Sequence, residues 1–175
     1  AVPSGRRGAV SALGDAGSPG VFVPFSPCRV ADTRAGSGFS GAYGAPAIAG
    51  GSIRTMNVVT GGCGGIVPLA TAVSLNVTVT NTQGPGHLVI YPAGGTPPLV
   101  STLNYLAGQT VANAAIVPLG SQSITIAAGV SGTDVIVDVN GYFTSFTNSQ
   151  SSLGVSTVKD NGGAIVGYNY SNVDG

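Results

Sequence analysis

Glutamate and tryptophan are absent from this chain, and lysine, methionine and histidine occur once each, as Lys159, Met56 and His87. Charged residues make up 7% of the 175 positions, where ordinary globular chains carry about 25%. The formal net charge is zero, so no long-range field draws the chain to nucleic acid or to an anionic membrane. No apolar run approaches the ~18 residues that a membrane helix needs, which argues against membrane insertion by a helix. Beginning at Ala1 with no signal-peptide pattern, the chain reads as mature secreted material.

The same shortages narrow the chemistry. A proton shuttle or nucleophile needs a prepared setting, yet His87, in GPGHLVIYP, stands alone after a turn and no GxSxG elbow accompanies it. With no Glu, a carboxylate pair must come from Asp15, Asp32, Asp134, Asp138, Asp160 and Asp174, and no glycosidase-like pattern joins them. The expectation is a protein that is not an enzyme and uses no cofactor. Cys28 and Cys63 are the only cysteines. In an extracellular chain an even pair reads as one disulfide, two buried thiols being the alternative. Metal binding through them lacks the CxxC spacing or a histidine cluster.

What is abundant is β-branched residues in alternation and glycine between them. In TAVSLNVTVT (71–80), Val73, Leu75, Val77 and Val79 face one way and Ser74, Asn76, Thr78 and Thr80 the other. Further strands are expected at 21–25, 28–33, 52–59, 87–92, 101–106, 111–119, 123–128 and 134–143, with Gly, Pro, Asn and Ser between them. One short helical or 3₁₀ turn is expected around GGIVPLA (64–70), and a Gly-rich surface loop over 34–51. The fold class is therefore all-β: a two-sheet antiparallel sandwich, jelly-roll-like, with extended terminal segments. Its parts are an N-terminal arm (1–20), the sandwich (21–145) and a C-terminal extension (146–175). In the extension GVSTV and AIVGYNY flank KDNGG, a hairpin signal.

The densest charge cluster is Arg29, Asp32 and Arg34, with Asp138 in DVIVDVN as a further partner. Arginine's planar fork suits bidentate pairing with carboxylates, so these four are expected to form structural ion pairs near the disulfide. A calcium site using Asp32, Asp134, Asp138 or Asn140 is the functional alternative, although the DxDxDG loop is missing. Tyr43, Tyr91, Tyr105 and Tyr142 could stack on sugar rings, but their strand positions favour core packing. Asn76 and Asn169 begin Asn-x-Ser/Thr tripeptides, taken here as chance matches.

FSPCRVADTR (25–34), GGCGGIVPLATAVSLNVTVT (61–80), GHLVIYPAGG (86–95), STLNYLAGQTVANAAIVPLG (101–120) and GTDVIVDVNGYF (132–143) together resemble a β-rich domain that recurs in secreted and cell-surface bacterial proteins. The resemblance implies a secreted accessory or structural module and no particular activity. Both ends here extend past one copy of the domain.

A surface so bare of charge fits either a subunit covered by copies of itself or a protein of a harsh medium. Either reading places it outside the cell. The leading expectation is a secreted structural protein whose partners are other copies of itself, assembling into a filament or surface layer. Terminal segments would add strands to a neighbour's sheet. The expected assembly interface is Val155, Val158, Ile165, Val166, Tyr168 and Tyr170. The alternative is a monomeric module binding cell-wall or other polysaccharide.

Overall fold

A computed structural model describes residues 20–145 and 153–172. The N-terminal arm expected over 1–20 lies, apart from Gly20, outside the described residues. The chain divides into two compact units, residues 1–145 and 146–175.

Eight strands are formed by the described residues of the first unit: β1 (Gly20–Asp32), β2 (Ile53–Asn57), β3 (Ala70–Thr80), β4 (Gly86–Pro92), β5 (Leu103–Tyr105), β6 (Val111–Pro118), β7 (Ser123–Gly129) and β8 (Asp134–Ser145). They form two four-stranded sheets, β1-β8-β3-β6 and β2-β7-β4-β5, antiparallel throughout. β1 pairs with β8, β2 with β7, β3 with β6 and β4 with β5, as in one long antiparallel ribbon. Winding that ribbon brings β8 beside β3 and β7 beside β4. This strand order is the jelly roll, and the all-β sandwich expectation holds.

Alternation along the central strands supplies the core. Val73, Leu75, Val77 and Val79 of β3 and Val137 and Val139 of β8 are wholly buried from one sheet, and Ile124 and Ile126 of β7 and Leu88 of β4 from the other. β4 is buried on both faces, Leu88 and Ile90 on one and Val89 and Tyr91 on the other, and the segment after it returns along its edge. The Thr102 N–H donates to Leu88 O at 2.8 Å and Thr102 Oγ1 accepts the Ile90 N–H at 3.0 Å. The disulfide Cys28–Cys63, with Cα atoms 5.6 Å apart, ties β1 to the Gly-rich segment before β3.

Two local expectations need correction. Residues 64–70 hold no helical turn. Gly62 and Gly64 take positive φ, which breaks a helical path, and a single turn closes where the Ala70 N–H donates to Val67 O at 2.9 Å. The 3₁₀ turn is Gly41–Tyr43 instead, in the Gly-rich loop. Tyr43 pins it by donating its hydroxyl to Asn57 O at 3.0 Å, and Arg54 by donating to Gly44 O and Pro46 O at 2.7 Å each. The strands expected at 21–25 and 28–33 are one strand. β8 runs beside both, and the Pro24–Cys28 irregularity is a bulge within the pairing, the place where an edge strand tolerates proline.

The second unit contains a two-stranded hairpin, β9 (Leu153–Lys159) and β10 (Ile165–Asn172). Asp160 builds its turn: Oδ1 accepts the N–H groups of Gly162 and Ala164 at 2.9 Å each, and Gly163 supplies φ +84°.

Leu75→Ala is expected to lower the unfolding free energy by about 2–5 kcal/mol, the usual range for a fully buried leucine, as read by urea denaturation.

Candidate functional site

Asp32 ends β1 and is 2% exposed. Arg34 grips it bidentately, Nε to Oδ1 at 2.9 Å and Nη2 to Oδ2 at 2.6 Å, and donates its backbone N–H to Oδ1 at 3.2 Å. Arg29 reaches the same carboxylate through Nη1 at 3.3 Å and holds Asp138 through Nε at 2.8 Å and Nη2 at 3.2 Å. The four expected ion-pair residues are thus brought into one chain of contacts. Arg34's hydrogen bond holds the Asp32 carboxyl below the usual carboxylate range against the opposing effect of burial, with Arg34's backbone N–H and both arginine charges adding to it.

The calcium alternative meets carboxylates that are already occupied. Asp32 and Asp138 serve arginines, while Asp134 accepts from Thr33 Oγ1 at 3.0 Å and from Asn81 Nδ2 at 2.9 Å. The sandwich tyrosines form no stacking platform. Tyr91, Tyr105 and Tyr142 are buried and Tyr43 packs against the core. Tyr105 donates its hydroxyl to Ser131 O, and burial raises its pKa. His87 lies over Gly129, where an added Cβ would fall 2.2 Å from the ring. It lines a hollow of about 380 Å³ with Val89, Pro98, Leu99, Ser101 and Asn104. Among the described residues no carboxylate stands in that lining.

Sheet edges differ sharply. β1 is broken by Pro24, Pro27 and two register shifts, devices that blunt an edge. β2 and β5 are only 5 and 3 residues long. β6, sequence VANAAIVP, runs 8 residues without charge, paired to β3 in unbroken register from Val111 to Pro118. Ala112, Ala114 and Ile116 are exposed on its outer side, Ile116 by 64%. Among the described residues no strand pairs with its far side. Sequence reading did not single out this edge, because the strand order that leaves it free is a tertiary fact.

In the hairpin, Val158, Ile165 and Val166 are exposed. The backbones of Val155, Tyr168 and Tyr170 lie in β9 and β10, with Tyr170 opposite Val155; their side chains, like that of Asn169, lie outside the described residues.

Asp32→Asn tests the cluster. A carboxyl whose folded pKa lies below its unfolded value of about 3.9 contributes stability that is complete above that value and lost as pH falls through the folded one. The variant is expected to be about 1–3 kcal/mol less stable at neutral pH, with the gap to the parent closing in strong acid, as followed by urea denaturation across pH. Replacing Cys28 and Cys63 together by Ala opens a crosslink of sequence separation 35. The expected cost is about 3–4 kcal/mol in the same assay.

No family model matches the chain, and neither does any curated protein or solved structure.

Proposed function

We propose that this protein is a secreted structural subunit that joins copies of itself into an extracellular filament or surface layer, the β6 edge of one subunit receiving an extended segment of the next. The observation that carries the reading is that edge: long, regular, without charge, and flanked by exposed Ala and Ile side chains. Such an edge is a template for another strand, and soluble monomers ordinarily block it with lysine, proline or a bulge. This chain applies those devices along β1 and leaves β6 with a proline only at its last residue, Pro118, and no lysine or bulge.

The donor in this reading is the C-terminal hairpin. A two-stranded hairpin by itself is marginally stable in water, and Val158, Ile165 and Val166 offer apolar surface for a neighbour. The Cys28–Cys63 disulfide is compatible with an oxidising, extracellular setting. No described helix is long and apolar enough to cross a membrane. The resemblance to a domain of secreted bacterial proteins points the same way.

Two variants test the proposal by negative-stain electron microscopy and light scattering. Ala114→Lys places a charge on the exposed face of β6 without touching the core, and deletion of 146–175 removes the donor. Each is expected to convert polymers of the parent chain into dispersed subunits with unchanged thermal unfolding of the sandwich. A parent chain that stays monomeric at high concentration, or polymers that survive both changes, would overturn it.

A further inference from the structure

The outer face of the β1-β8-β3-β6 sheet carries a hollow where two strands are irregular at one level. Between the pairs Pro24·Gly141 and Cys28·Val139, β1 has Phe25, Ser26 and Pro27 while β8 has only Asn140. The same Asn140 is extra against β3, where Ser74 pairs with Gly141 and Leu75 with Val139. Bulges bend strands and re-aim side chains. At this level lies an open concavity of about 520 Å³ lined by Pro27, Arg29, Asn76, Asp138 and Asn140.

The lining has a definite chemistry. Arg29, Asp138 and Asn76 stand in one cross-strand row over β1, β8 and β3. Arg29 makes three N–H bonds to the two carboxylates, so two of the five donors of its fork remain for a ligand. Because Asp32 and Asp138 already immobilise it, little side-chain freedom is left to lose on binding. Asn76 and Asn140 are exposed, and their side-chain amides have no hydrogen-bond partner among the described residues. Each therefore offers a donor pair and an acceptor. Pro27 supplies an apolar ring surface.

Charge decides the ligand class. Arg29 and Arg34 are balanced by Asp32 and Asp138, so neither an anion nor a cation meets an uncompensated opposite charge. What remains is directional hydrogen bonding of both senses beside an apolar ring, which suits a ligand of many hydroxyls and C–H faces. We propose that this hollow is a binding site for a neutral glycan chain. The site lies on a sheet face, whereas strand addition would use the β6 edge, so the two proposals stand or fall separately.

Isothermal titration calorimetry of the full chain with neutral tetrasaccharides tests it. Cellotetraose represents plain glucans and chitotetraose N-acetylated cell-wall chains, with tetragalacturonate as the charged control. Binding of either neutral sugar is expected, weakened roughly five- to tenfold by Asn76→Ala and by Asn140→Ala, the effect of losing one hydrogen bond. Asn104→Ala, in the hollow on the other sheet, should leave it unchanged. Thermal unfolding of each variant is read alongside to show an intact fold. Deleting 146–175 should leave the titration unaltered even where it abolishes polymers. The proposal is overturned if neither neutral sugar binds, if the charged control binds more tightly than both, or if the Asn76 and Asn140 variants bind like the parent.

Discussion

The pairing of β3 with β8 is the contact on which the rest of the sandwich depends. Each is central in its sheet, and Val77 opposite Val137 and Leu75 opposite Val139 are all wholly buried. Through this pair the alternate ribbon segments β1·β8 and β3·β6 become one sheet, and β4·β7 likewise joins β2·β7 to β4·β5. Along β3 the outward row is Ser74, Asn76, Thr78 and Thr80, which need neither charge nor further burial. Glycine and proline between the strands let the chain reverse often enough for the winding to close.

Few charges means that their placement carries unusual weight. Four of them, Arg29, Asp32, Arg34 and Asp138, are gathered into one cluster at the β1–β8 seam. That concentration fixes the end of β1, where Pro24, Pro27 and the bulges have weakened the ladder. A bidentate guanidinium–carboxylate clamp replaces in side-chain geometry what the backbone pairing has lost. The remaining edges receive no such help, and from Val111 to Val117 β6 carries no charge, proline or bulge.

Much of the sandwich was legible in the sequence because a half-buried strand writes its two faces into alternate residues, as β3 does over Val73–Val79. β4 was legible for a different reason: LVIY is a short apolar run bounded by turn residues, and all four of its residues are buried. The charged cluster could be named because arginine and aspartate stood close in CRVADTR and Asp138 interrupted an apolar strand. Bulges carry no such signature. The single long β1 read as two strands, and the hollow at Asn140 was invisible because it arises from two irregularities meeting across a register. Asn76 drew notice only as one of the outward polar residues of β3 and as part of a chance tripeptide, and Asn140 only as a conceivable calcium ligand. Residues 64–70 misled through IVPLA, whose composition tolerates a helix while the glycines before it do not.

Edge asymmetry also constrains the geometry of the proposed assembly. If two β6 edges paired with each other, the contact would be isologous and would close as a dimer with both edges consumed. Growth requires that the segment entering β6 come from elsewhere on the subunit, so that each copy presents one acceptor and one donor. The blunted β1, the short β2 and the short β5 cannot serve as a long donor. That leaves the segments outside the sandwich, of which β9 and β10 already have extended backbone and uncharged exposed residues at Val158, Ile165 and Val166. A donor and acceptor that differ within one chain make the contact heterologous, and repetition of a heterologous contact that does not close generates a filament.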